Sequence, residues 1–278
     1  MQIHLLLSNQ QIADELYLKD KNVVIIDVLR ATTSMTVALA NGAKEIIPTD
    51  TASTAARVAK GRGNSLLCGE REGKIVEGFN LGNSPFEFIN DDIKDKILVW
   101  STTNGTVSIV RAKHAKLCIL ASFLNITAVV DYLSQIEGED LYIICSGKHG
   151  NICIEDAVCG GLLLSKLMKS IGKDVEGIND PEMIALDLYR YYLQGAGKIS
   201  NKAIHDMMIN TEHGKYLISL DFGRDLEVCS KLDSIPFVPI FRNGVIKLKE
   251  VIESEDNAKT KLKKVNLVKS EKDSVNKA

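Results

Sequence analysis

Apolar residues in this chain fall into short unbroken runs, separated by stretches with helical spacing. "QIHLLL", "NVVIID", "KEIIP", "SLLCG", "KILVWS", "KLCILAS" and "DLYIICS" are rich in β-branched residues and carry little polar alternation. Such runs predict strands covered on both faces, because a strand with one wet face alternates polar and apolar positions. Between them, "TSMTVALANG" has helical spacing and stops on Asn-Gly, while "TASTAARVAKG" offers a hydroxyl cap and ends at Gly61. "TVSIVRAKHA" and "NITAVVDYLSQIEG" repeat the pattern. The alternation predicts an α/β fold, layered α/β/α, with a largely parallel or mixed sheet.

Past residue 150 the pattern changes. "EDAVCGGLLLSKLMKSIG", "PEMIALDLYRYYLQGAG" and "KYLISLDFGRDLEVCSKL" read as consecutive helices, a helical insertion in the C-terminal half. "IPFVPIFRNGVIKL" returns to extended structure, with Asn243-Gly244 as a two-residue turn that closes a β-hairpin. Residues 1–250 are expected to form one compact catalytic unit, with a division into two lobes near 120–150 left open. Residues 251–278 are polar and mixed in charge, and are expected to form a frayed tail.

Composition narrows the class. The 278 residues are 45% apolar and 25% charged, with a formal charge of −2, so no wholesale attraction to nucleic acid or an anionic membrane is expected. The opening "MQIHLLLSNQ" lacks a basic leader and reads as a first strand. "LCILASFLNITAVV" is interrupted by Ser122, Asn125 and Thr127, and falls short of the ~20 apolar residues of a membrane span. The six cysteines form no CxxC pair, which favours reduced core thiols and a cytoplasmic location.

Candidate chemistry lies just after the strands, where parallel α/β sheets collect ligands. After "NVVII" come Asp27, Arg30 and the hydroxyls of "ATTS". "SLLCG" is followed by Glu70 beside Arg71, and "KILVW" by Ser101, Thr102, Thr103, Asn104, Gly105 and Thr106. "YIIC" leads to Gly147, Gly150 and the adjacent acids Glu155 and Asp156. Taken singly, adjacent acids at a helix start complement the helix dipole, a Ser/Thr/Asn/Gly loop is a turn with a cap, and an exposed Glu-Arg pair contributes little. Their recurrence at several strand ends on one edge points to a site. Clustered carboxylates suit a hard cation such as Mg²⁺, and arginines beside amide-rich loops suit a phosphate. There is no G-x-x-x-x-G-K-[ST], no G-x-G-x-x-G after the first strand and no G-x-S-x-G elbow. Residue 29 is Leu where a haloacid-dehalogenase-type motif has a second Asp.

Five motifs in order, "DVLRATTSM", "GEREGKIVEGFNLGNSPFE", "STTNGT", "SGKHGNICIEDAVCGG" and "LDSIPFVPIFRNGVIK", resemble the 2-phosphosulfolactate phosphatase family over residues 1–248. The resemblance implies a Mg²⁺-dependent phosphatase that converts (R)-2-phospho-3-sulfolactate to sulfolactate and phosphate, a step toward coenzyme M. On that footing Asp27, Glu70, Glu155 and Asp156 form the expected metal-ligand pool. Arg30 and Arg71 would take up phosphate charge. Asn83 and Ser84 of "LGNSP", the segment Thr102–Thr106 and Gly147 would contact substrate. Asp27 stands open as ligand, base or nucleophile. Asn80 departs from the family's usual Asp, and is expected to hold a turn. Rival readings are a phosphatase for another small phosphorylated hydroxy acid and a non-catalytic anion sensor. A homodimer is the default assembly.

Overall fold

Val23, Val24, Ile25 and Ile26 have no exposed surface, although they are consecutive, and the layering explains why. Val24 and Ile26 enter one core cluster with Ile119, Ala121, Ile143 and Cys145, while Val23 and Ile25 enter a second with Cys118, Leu120 and Ile144. Alternate residues of one strand thus pack on opposite faces of the sheet, and each buried aliphatic side chain contributes on the order of 1.5–3 kcal/mol. The computed structural model describes residues 2–14, 16–136, 140–172, 178–194 and 199–256.

The strands are β1 (Ile3–Leu6), β2 (Asn22–Ile26), β3 (Glu45–Pro48), β4 (Ser65–Arg71) and β5 (Lys74–Ile75). They continue with β6 (Ile97–Ser101), β7 (Leu117–Ala121), β8 (Leu141–Cys145), β9 (Pro239–Arg242) and β10 (Val245–Leu248). All join one mixed sheet in the order β1-β8-β2-β7-β9-β10-β3-β6-β4-β5. β1, β8, β2 and β7 pair in parallel, as do β3, β6 and β4. The hairpin of β9 and β10 lies between these two blocks, antiparallel to β7 on one side and to β3 on the other. Asn243 and Gly244 both have positive φ, as the expected two-residue turn requires.

Helices α1 (Ala31–Ala40) and α3 (Gly105–Arg111) carry the chain between the blocks, and α2 (Ala52–Lys60) connects β3 to β4. Every residue of α1 from Ala31 to Leu39 is buried, and its core cluster draws on both blocks: Val23 and Ile25 from one, Ile46, Leu98 and Trp100 from the other. α1 therefore packs against both blocks. Over the other face of the β1–β7 block lie α4 (Ile126–Leu133), α5 (Ile154–Ser170) and α6 (Asp180–Tyr189). A π-helical turn, Arg190–Gln194, extends α6.

Then come α7 (Asn201–Asn210), α8 (Glu212–Ser219) and α9 (Gly223–Cys229). The stretch expected as one helix over "KYLISLDFGRDLEVCSKL" is two, broken where Asp221 takes a φ of 66°. Residues 249–256 are helical, and the remainder of the expected tail, 257–278, lies outside the described residues. All six cysteines are free and buried. Among the described residues, no helix is long and apolar enough to cross a membrane.

Candidate active site

Asp27 sits directly after the last residue of β2 and is 7% exposed. Its turn is fixed from both sides. Asp27 Oδ1 accepts from Ala31 N at 3.1 Å, and Asp27 N donates to Thr32 Oγ1 at 3.1 Å. Oδ2 accepts no hydrogen bond among the described residues. Burial pushes the Asp27 carboxyl up to about 6, with Glu70 and Glu155 adding to the rise and His213 opposing it. A carboxylate with one oxygen held and the other open can take up a cation or a proton.

The hydroxyls after Asp27 are committed to backbone. Thr32 Oγ1 lies 2.8 Å from both Asp27 O and Ala121 O, Thr33 Oγ1 donates to Val28 O, and Ser34 Oγ donates to Asn83 O. This is how a helix that begins Ala-Thr-Thr-Ser can be buried at all, since each hydroxyl has a partner.

Beside Asp27 opens a cleft lined by Asp27, Leu29, Arg30, Glu70, Glu72, Gly73, Asn83 and Thr102–Asn104, with Lys148, His149, His213, Tyr216 and Leu217 across it. Glu70 organises two of its loops. Oε1 accepts from Thr103 N at 2.8 Å and Oε2 from Gly73 N at 2.8 Å. The 102–106 loop closes on itself, with Thr102 N donating to Thr106 Oγ1 and Thr106 N to Thr102 Oγ1. The amides of Thr102 and Thr103, expected to face an anion, are therefore already engaged. Gly105 lets this loop approach Asp27: a Cβ there would lie 2.4 Å from Ala31 Cβ and 2.6 Å from Asp27 Oδ2.

The arginines are likewise paired. Arg30, 2% exposed, donates to Asp225 Oδ2 at 2.6 Å and to Gly73 O at 2.7 Å, and its guanidinium lies 4.3 Å from the Phe222 ring centroid. Ser84 Oγ donates to the other oxygen of Asp225 at 2.7 Å. Arg71 does not line the cleft; it donates to Glu70 O, Ser101 O and Ser101 Oγ, tying the ends of β4 and β6.

Behind Asp27, Asp156 accepts from Val28 N at 2.8 Å through Oδ1 and from Gly147 N at 3.1 Å through Oδ2. It clamps the β2 and β8 loops together, and burial with Asp27 and Glu155 nearby holds its carboxyl well above the usual range. Glu155, 1% exposed, meets His213 Nδ1 through Oε1 at 3.0 Å, while Oε2 is buried without a partner among the described residues. Asn83 Oδ1 is likewise buried and unpartnered. Asn80, outside the cleft, accepts from Leu67 N at 2.8 Å and so holds the turn beside β4.

Asp27, Arg30, Glu70, Asn83 and Thr102–Asn104 thus share one cleft. Glu155, Asp156, Gly147, Ser84, Gly105 and Thr106 stand behind it, and Arg71 is set apart. Sequence reasoning missed His213, Asp225 and Tyr216, which arrive from α8 and α9, outside any strand end. It gave neither Lys148 nor His149 a role, and both line the cleft.

A bound Mg²⁺ can be tested against these donors. Mg²⁺ is commonly held by one or two carboxylates plus waters and substrate oxygens. Of the four expected ligands, Glu70 and Asp156 have both oxygens engaged by backbone amides. Asp27 Oδ2 and Glu155 Oε2 do not, and Asn83 Oδ1 is a third oxygen without a partner among the described residues, all of the hard kind that Mg²⁺ takes.

The family model described as 2-phosphosulpholactate phosphatase matches residues 6–244. Several curated proteins named "Probable 2-phosphosulfolactate phosphatase" are similar. That of Thermotoga maritima is 37% identical over 230 residues, 83% of this chain and 93% of the relative. The one from Caldanaerobacter subterraneus subsp. tengcongensis is 35% identical over 232 residues, 83% and 91% respectively. Its counterpart in Clostridium acetobutylicum is 34% identical over 247 residues, covering 88% of this chain and all of the relative.

Proposed function

The chain belongs to the 2-phosphosulpholactate phosphatase family, and from that premise we propose that it hydrolyses 2-phospho-3-sulfolactate to 3-sulfolactate and inorganic phosphate. Water adds at phosphorus, the P–O bond to C2 breaks, and the leaving oxygen takes a proton. The observation that carries this reading is Asp27, a buried carboxylate at a strand end that lines the cleft. One oxygen is fixed, the other accepts no hydrogen bond among the described residues, and burial pushes the carboxyl up to about 6.

At neutral pH Asp27 is ionised and Oδ2 is available for a cation or for the proton of the attacking water. Glu70 keeps the Gly73 and Thr103 loops in place before substrate arrives. Lys148, held 4.1 Å from the Tyr216 ring centroid, presents positive charge on the opposite wall, where the phosphate, carboxylate and sulfonate need neutralising. Arg30 adds a cleft-facing cation whose orientation Asp225 fixes. Asp27, Asn83 and Glu155 are the residues that would hold Mg²⁺, and the ion would supply charge neutralisation for the transferring phosphoryl group. The proposed substrate in turn suggests a place on a route to coenzyme M.

Phosphate release from racemic 2-phosphosulfolactate, 2-phospholactate and p-nitrophenyl phosphate, measured side by side, tests the reading. A kcat/KM highest for the sulfonate is expected. Equal turnover of all three would leave a phosphatase for small phosphorylated acids and remove the named substrate.

A further inference from the structure

Cys153 occupies the N-cap of α5, a position where Ser, Thr, Asp or Asn normally accepts from the first free amides. The thiol makes no cap hydrogen bond. Instead a ligand atom from each of Cys153, Glu155 and His213 falls within 4.8 Å of the others. These are a sulfur, a carboxylate oxygen and an imidazole nitrogen, brought together from α5 and α8.

Each donor is held in place. Glu155 and Cys153 stand on the first turn and cap of the long α5. His213 comes just after a tight helix junction: Thr211 Oγ1 accepts from Gly214 N at 3.0 Å, and a Cβ on Gly214 would lie 1.9 Å from Met208 O. Among the described residues Glu155 Oε2 is buried without a hydrogen-bond partner, which is costly unless something else meets it. Local charge points the same way. Asp27 and Asp156 lie near the cluster, and Arg30 is matched by Asp225. A second opening, lined by Cys153, Glu155, His213 and Tyr216, reaches the cluster.

We propose that Cys153, Glu155 and His213 form a binding site for a borderline-soft divalent transition metal of the Zn²⁺ or Co²⁺ class. Thiolate and imidazole donors select such ions over Mg²⁺, which demands oxygen. Three protein ligands leave a position open, the arrangement of zinc sites that act on a ligand rather than merely brace a fold. Glu155 is common to this set and to the oxygen set, so one carboxylate joins the two. Binding releases the thiol proton to solvent, and no redox change is involved.

The test uses the full chain stripped of metal by chelator, with Co²⁺ as the probe and no substrate present. One Co²⁺ per chain with a near-ultraviolet thiolate-to-cobalt band is expected, and the band should survive excess Mg²⁺. Cys153→Ser should abolish the band, while Cys159→Ala, which alters a core thiol on the same helix, should keep it. His213→Gln should weaken binding at least about tenfold. Circular dichroism and thermal melts establish that each variant is folded. No thiolate band in the unaltered protein, a band that persists in Cys153→Ser, or unchanged affinity in His213→Gln would overturn the proposal. Hydrolysis plays no part in this readout, so failure to turn over 2-phosphosulfolactate would count against the proposed function alone.

Discussion

Arg30 and Asp225, 195 positions apart in the chain, meet at 2.6 Å with both side chains almost fully buried. The pair joins the turn after β2 to α9. Because Asp225 also accepts from Ser84 and Arg30 also donates to Gly73 O, four separate segments converge on two side chains. The buried guanidinium that lines the cleft is thereby kept in one orientation before any ligand binds.

Removing Asp225 leaves Arg30 buried and uncompensated, whereas removing the Ser84 hydroxyl deletes a long N-cap bond from Phe86 N and one bond to a carboxylate that keeps its main partner. Asp225→Ala is expected to cost about 3–5 kcal/mol, and Ser84→Ala about 1–3 kcal/mol. Urea denaturation with unchanged slope reads both. Equal losses would contradict the view that the ion pair, not the hydroxyl, anchors α9.

Asp27 has the opposite sign. Its folded carboxyl sits at about 6 against 3.8 unfolded, so the native state binds the proton more tightly. The resulting stabilisation is complete below about pH 4 and is lost as pH rises through 6. In chelator at pH 7.5, Asp27→Asn should therefore raise stability by up to about 3 kcal/mol. The gain should vanish near pH 4, and saturating Mg²⁺ should reverse it by stabilising only the unaltered protein. Thermal melts at the two pH values, with and without the ion, decide the matter.

Gly105→Ala places a methyl against both Ala31 and Asp27 Oδ2. The loop must retreat. We expect a stability loss of about 1–3 kcal/mol from overpacking, with activity down on the order of a hundredfold from misplacement. Wild-type kcat/KM in a folded Gly105→Ala protein would show that the loop's approach to Asp27 has no role.

Glu70→Gln replaces one acceptor oxygen by an amide NH2 group, which can only donate. Either Thr103 N or Gly73 N then loses its partner, at about 1–3 kcal/mol. Hydrogen exchange at those two amides should speed up in the variant while α5 stays protected. Unchanged exchange would mean that the loops hold themselves.

Much of the fold is legible from local pattern. The run "VVII" signals a strand covered on both faces because no side of it tolerates water, and both core clusters indeed claim alternate residues of β2. Asn243-Gly244 marks its hairpin because both residues accept positive φ. Strand order is another matter. Nothing in the hairpin's own residues says that it wedges between two parallel blocks, since that depends on which neighbours remain unpaired.

The candidate site divides the same way. Asp27, Glu70 and the 102–104 loop stand just past the ends of apolar runs, where a strand-by-strand reading finds them. His213 and Asp225 do not, because His213 reaches the cleft, and Asp225 reaches Arg30, through tertiary packing of α8 and α9, whose sequences carry no strand-end signal. Residue type alone also conceals occupancy. Arg71 and Asp156 look ready for a ligand in the sequence, yet both are fully engaged by neighbouring protein groups.

The most direct measurement is the initial rate of phosphate release from 2-phosphosulfolactate by the unaltered chain and by Asp27→Asn, each with Mg²⁺ and with EDTA. Rapid release by the unaltered chain with Mg²⁺, falling at least about a hundredfold in EDTA and in the variant, is the expected result. Release that persists unchanged in a folded Asp27→Asn protein, or none at all from the unaltered chain, would contradict the assignment of this cleft.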